Sequence, residues 1–163
     1  MLWKEGTEIN SFSSIFDVHS SLETVWAFYT NIRHLEKITP PYMLLRVLDT
    51  SDEIIKEGSE AWLTGKIIFR NKWHSKITFF KPFRYVDEMI TSENEKPIFS
   101  HWKHEHIFEG DEMQTRVIDN IQFELPLGVI GRIFRQYAKA KLRNLFNYRA
   151  VATKRLLEEE RNI

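Results

Sequence analysis

Between residues 98 and 124 apolar and polar positions alternate with a period of two. Successive side chains in a strand point to opposite faces. Ser100, Trp102, His104, His106 and Phe108 therefore share one side of a strand over 98–109. Gly110-Asp111 suits a two-residue hairpin turn into a second strand over 112–124. In that register Phe108 faces Met113, His106 faces Thr115, His104 faces Val117 and Trp102 faces Asp119, while the other face sets Glu105 against Arg116. Asp119 becomes a diagonal neighbour of His104. A slip of one residue would invert every side chain. Two histidines and a tryptophan on an otherwise apolar face read as the polar part of a lined cavity.

The remaining pattern predicts a strand over 8–18, then a helix opened by Ser20 with Glu23 at the capping-box spacing. A short helix over 31–38 ends at Thr39-Pro40-Pro41, since proline disfavours helix at the residue before it. Further strands are predicted over 42–48, 59–69, 72–80 and 84–91, with Arg70-Asn71 and residues 92–96 as hairpin connections and Pro82 and Pro97 at strand starts. From 127 to 160 Ile130, Ile133, Phe134, Tyr137, Ala138, Leu142, Leu145, Phe146, Ala152 and Leu156 recur at helical spacing. Arg132, Arg135, Lys139, Lys141, Arg143, Arg149, Lys154 and Arg155 form the opposite, basic face, read as a solvated surface with contact to an anionic membrane or a partner as the alternative. The order β-α-α-β6-α implies an α+β fold, one long C-terminal helix laid across a mainly antiparallel sheet with a hollow between them.

The 163 residues suit a single domain, 1–163, with a substantial core. Zero net charge argues against bulk attraction to nucleic acid. The 12 Phe and 5 Trp are more large rings than a plain core needs and suit a pocket wall. The absence of cysteine excludes disulfides, cysteine zinc sites and thiol nucleophiles. No apolar run reaches the roughly 20 residues that span a bilayer, and residues 1–6 lack the pattern of a signal peptide. A cytoplasmic protein is the expectation.

Several pieces in series resemble one superfamily. They are Asn31…Leu35…Thr39-Pro40-Pro41, Trp73-x-Ser75-x-Ile77, Asp87-Glu88-Met89, Trp102-x-His104-x-His106-x-Phe108, Thr115-x-x-x-Asp119, Leu125-Pro126-x-Gly128 and Phe146-x-Tyr148-Arg149. Together they resemble the START-like, or SRPBCC, superfamily of helix-grip (Bet v 1-like) ligand-binding domains, within it a polyketide cyclase/dehydrase-like subgroup of small prokaryotic proteins. Lys96-Pro97-Ile98 stands where that subgroup has Gly-Pro-aromatic. The resemblance implies a curved seven-stranded antiparallel sheet wrapped around the C-terminal helix, with a deep, mostly apolar cavity between them. It does not imply one chemistry.

His104 and His106 have three readings. They are structural imidazoles satisfied by Asp119, Thr115 or backbone; or polar contacts for the head of an apolar ligand; or, with Asp119 behind His104, a general base. A His-x-His pair on a strand can also present two nitrogens to zinc or iron, but a third ligand is needed and only Asp119 offers itself, so no metal site is assigned. Asp87 and Glu88 are adjacent and point to opposite faces, so they form no carboxylate pair. The sequence thus points to a cavity that binds a small hydrophobic or amphipathic molecule (lipid, isoprenoid, quinone or aromatic polyketide). Trp102, His104, His106, Phe108, Thr115, Val117, Asp119, Trp73, Phe134 and Tyr137 would line it, with no cofactor and no nucleic-acid partner. The alternative is a cofactor-independent cyclase or dehydratase using a His104–Asp119 dyad.

Overall fold

The computed structural model describes residues 9–66, 69–90, 99–125 and 128–159, with side chains in the C-terminal helix from Phe134 to Glu158. Seven strands form one sheet: β1 (Asn10–Val18), β2 (Arg46–Thr50), β3 (Glu60–Lys66), β4 (Arg70–Lys81), β5 (Arg84–Ile90), β6 (His101–Gly110) and β7 (Thr115–Glu124). Their order in space is β1-β7-β6-β5-β4-β3-β2, each pair antiparallel. Two short helices, α1 (Leu22–Thr30) and α2 (His34–Lys37), follow β1, and α3 (Gly128–Glu159) closes the chain. Shifts of register between Val47 and Asp49 and between Ile77 and Phe79 mark bulges. Bulges bend a sheet and increase its twist.

The buried residues fall on either side of the space between sheet and helices. Val18, Val25, Phe28, Ile77, Tyr85, Phe108, Val117, Ala152 and Leu157 form one cluster. Ile121, Phe123, Ala138, Leu142, Leu145 and Phe146 pack in a second, toward the start of α3. Among the described residues of α3 the apolar stripe therefore meets the concave face of the sheet, as its 3.6-residue spacing requires.

Several boundaries differ from the sequence reading. The N-cap of α1 is Ser21, whose hydroxyl accepts from the Thr24 amide at 3.2 Å, so Ser20 and Glu23 make no capping box. Residues 41–43 form a 3-10 turn and Leu44 takes the left-handed backbone (φ 50), which delays β2 to Arg46. Arg70 and Asn71 already belong to β4, paired with Lys66 and Gly65. Pro82 sits in the β4–β5 turn, and Pro97 and the connection over 92–96 lie outside the described residues.

The β6–β7 hairpin turns later than Gly110-Asp111. Phe108 pairs with Val117, His106 with Asp119, His104 with Ile121 and Trp102 with Phe123. The Asp111 carboxylate accepts hydrogen bonds from the Met113 and Gln114 amides at 2.8 and 3.0 Å, which builds a longer loop. The shift is an even number of residues, so every side chain keeps its predicted face. Arg116 then reaches Asp17 on β1, and Glu105 pairs with Arg84 instead.

Candidate functional site

Three neighbouring strands turn acids and imidazoles into the interior at one level. β6 supplies His104 and His106, β7 supplies Asp119 opposite His106, and β5 supplies Asp87 opposite His104. Nε2 of His104 donates to Asp119 Oδ1 at 2.9 Å, and Nε2 of His106 donates to Asp87 Oδ2 at 3.0 Å. His106 Nδ1 lies 3.1 Å from Asp119 Oδ1 but makes no hydrogen bond, so that contact is one of charge alone. His104 Nδ1 is 3.4 Å from Asp87 Oδ2. The two rings pack at a tilt of 37° with centroids 3.7 Å apart, and Tyr85 stacks on His106 at 4.2 Å. His104, His106 and Asp119 are buried and Asp87 is partly buried.

Burial and the neighbouring His106 push the His104 pKa below its ordinary value, against the pull of Asp119. Burial also acts downward on His106, but the nearby Asp119 carboxylate and the hydrogen-bonded Asp87 outweigh it and the net shift is upward. Burial works against the ionised Asp119 and Asp87, yet the imidazoles beside them hold both carboxyls below the usual range. The two rings are too close to carry full charge together at neutral pH. The opposite shifts favour the proton on His106 over His104. Tyr29 and Tyr85, raised first by burial, stay neutral beside the cluster.

Asp87, His104 and His106 place ligand atoms within 4.8 Å of one another. An ion about 2.0–2.1 Å from one nitrogen of each ring, at a near-tetrahedral angle, holds the ring centroids about 5 Å apart. At 3.7 Å the rings instead lie close against one another, tilted by 37°. These residues would have to splay before they could chelate an ion, and the arrangement fits a shared proton better.

Next to the cluster lies a cavity of about 140 Å³. Phe28 and Tyr29 of α1, Leu35 of α2, Ala61 and Leu63 of β3, Trp73 and Ile77 of β4, Met89 of β5, Trp102 of β6 and Leu145 of α3 line it. Its polar lining includes Ser75, Asp87, His104, His106 and Arg149, together with Asn31, Thr39, Thr50, Ser59 and Glu60, and His34 tied to the Phe28 carbonyl at 3.0 Å.

This architecture recurs in solved structures. A START superfamily protein from Mycobacterium smegmatis superposes with a TM-score of 0.68 at 13% identity, covering 91% of this chain and 97% of that one. The Zhui aromatase/cyclase from Streptomyces sp. R1128 gives 0.65 at 16% identity, over 94% and 93%. Ara h 8.0201 gives 0.58 at 11% identity, over 88% and 96%. The fold is START/SRPBCC-like. No protein-family model matches the sequence, and neither does any curated protein. At these identities the likeness is one of helix-grip architecture: an antiparallel seven-stranded sheet with a C-terminal helix.

Of the residues that the sequence singled out, Trp73, Trp102, His104 and His106 line the cavity, and Asp119 bonds to His104 behind its wall. Phe108 and Val117 pack in the core cluster beside α1, and the Thr115 hydroxyl donates to the Ser20 carbonyl, so none of the three reaches the cavity. Phe134 and Tyr137 are 52% and 45% exposed. At 3.6 residues per turn Tyr137 lies roughly 140° around the helix from Leu142, off the buried stripe, whereas Phe134 is in phase with Ala152 at the edge of the stripe and is exposed at its own end of the helix.

Two residues of the site escaped the sequence reading. Asp87 turns inward with Tyr85 and Met89, a charge on an apolar face, while Glu88 turns outward toward Lys103 at 3.8 Å. Arg149 was counted with the basic face. It sits instead on the buried stripe of Leu142, Leu145, Phe146 and Ala152, at i, i+3, i+4, i+7 and i+10, and that spacing was the signal that could have found it.

Proposed function

We propose that the protein binds one small, mostly apolar molecule in the cavity between sheet and helices. The observation that carries this reading is the cavity, apolar over most of its wall with a few charged groups among the lining. Pockets of that composition combine non-directional affinity with a few orienting groups. Each 100 Å² of ligand surface withdrawn from water contributes about 2.5 kcal/mol, less the cost of ordering the ligand. The volume narrows the class. A dry cavity of about 150 Å³ holds benzene, so a single ring or short chain fits the 140 Å³ as it stands. A long isoprenoid or a multi-ring polyketide requires the walls to part. The START-like and aromatase/cyclase neighbours are compatible with such a role.

A second reading, a cofactor-independent cyclase or dehydratase, is favoured by one observation. His104 has its Nε2 anchored on Asp119 at 2.9 Å, which leaves Nδ1 to accept a proton. Two features weigh against it. Asp87 Oδ2 stands 3.4 Å from that nitrogen, where a ligand proton would have to approach. A pKa pushed down by burial also makes His104 a weak base.

Native mass spectrometry of freshly purified protein, followed by organic extraction, tests the binding reading. The expected result is a defined 1:1 adduct that disappears in Ala61→Phe, whose new ring occupies the cavity. An adduct that survives in Ala61→Phe overturns the assignment to this cavity. His104→Ala separates the readings: a binding protein loses affinity only, whereas an enzyme loses turnover and the limb of its pH–rate profile near the histidine pKa.

A further inference from the structure

Arg149 is partly buried, and among the described residues it has no ion-pair partner. It lies one turn beyond Phe146 on α3, its guanidinium 4.9 Å from the centroid of the Phe146 ring, and it lines the cavity. Its Nε is shielded from water and has no hydrogen-bond partner. Among the described residues no carboxylate forms an ion pair with it. The two acids whose charge it feels, Asp119 and Asp87, are already engaged by His104 at 2.9 Å and by His106 at 3.0 Å.

A guanidinium withdrawn from water without a partner is costly. Five donors in a planar fork match the two oxygens of a carboxylate. We propose that the ligand of this cavity is a small carboxylic acid bound as its anion, the carboxylate paired with Arg149 and the apolar body against Leu63, Trp73 and Ile77. This assignment rests on the binding reading above and names its ligand class. It also gives the cluster a further purpose. With Asp87 and Asp119 both taken up by imidazoles, they neither compete for Arg149 nor repel the incoming anion at full strength.

Matched probes test it. Benzoate and 4-phenylbutanoate are compared with benzamide and 4-phenylbutan-1-ol by calorimetry and protein-observed NMR at pH 7. The wild-type protein is expected to bind each acid at least tenfold more tightly than its neutral partner. Arg149→Met is expected to erase that preference, and Arg149→Lys to retain part of it. Equal binding of acid and neutral probe by the wild type overturns the carboxylate assignment and leaves the cavity reading standing. Failure of all four probes overturns both. If Arg149→Met does not fold, the wild-type comparison still decides, because it needs no variant.

Discussion

Oδ1 of Asp119 accepts a hydrogen bond from Nε2 of His104 at 2.9 Å, and both side chains are sealed from water. The same oxygen faces His106 at 3.1 Å. One carboxylate thus neutralises and orients a closely packed pair of imidazoles. Removing it strands a buried imidazolium, and breaking a buried pair from one side costs about 3–5 kcal/mol. Asp119→Ala is expected to lose that much in urea denaturation. Asp119→Asn keeps an acceptor for His104 and loses only the charge, so its expected cost is roughly 1.5–3 kcal/mol. Equal costs for the two variants would mean that the charge contributes nothing.

Much of this site is legible in the alternation of β6 and β7, because parity alone decides which residues face inward. The predicted register was four residues off, with Phe108 set against Met113 in place of Val117, yet His104, His106 and Asp119 stayed on one face. What parity cannot give is the loop. Asp111 looks like half of a tight turn, and only the Met113 and Gln114 amides bonded to its carboxylate show a longer connection. Asp87 lies on β5, far from Asp119 in the chain, so its place in the cluster depends on strand order. Arg149 was readable in principle from the helical stripe. It was missed because its charge matched the basic residues around it.

Ala61 is buried and its methyl group lines the cavity. Ala61→Leu adds three carbons at the wall of a space of about 140 Å³. Filling an existing void costs less than overpacking a full core, for which about 1–3 kcal/mol is usual. The variant is expected to melt near the wild type and to bind single-ring probes at least tenfold more weakly. A variant that melts like wild type and still binds such probes at full strength would place the ligand elsewhere.

The β6–β7 loop gives a prediction on stability that is independent of the ligand. A Cβ on Gly110 would lie 2.2 Å from the Gln114 carbonyl oxygen and 2.8 Å from the Thr115 Cα, both backbone atoms. A Cβ on Gly58 meets nothing within 4 Å, but the residue has φ +85. Gly58→Ala therefore bears only conformational strain, about 1 kcal/mol, whereas Gly110→Ala must move the loop. Thermal melts should place Gly110→Ala clearly below Gly58→Ala. The reverse order would show that the loop yields easily and that the observed register is not fixed by this glycine.

The histidine pair also sets the pH dependence of stability, and the two rings act in opposite directions. His106 has its pKa raised in the folded state. Its contribution is complete below the unfolded value of about 6.5 and is lost as pH rises through the higher folded value. His104 has its pKa lowered. The unfolded chain then takes up its proton first, so stability falls as pH drops from about 6.5 toward the depressed folded value. Asp87 and Asp119, both lowered, extend that acid limb below about pH 4. Stability should therefore peak near pH 6.5 and decline on both sides, with the limbs belonging to the coupled pair. Urea denaturation between pH 4 and 9 measures the curve. His106→Gln should flatten the alkaline limb and also weaken the acid one, because His106 helps to depress His104 and the two carboxyls. Stability that stays level from about pH 6.5 to 9 in the wild type would mean that His106 gains no charge stabilisation from Asp87 and Asp119, and the shared-proton description of the cluster would fail.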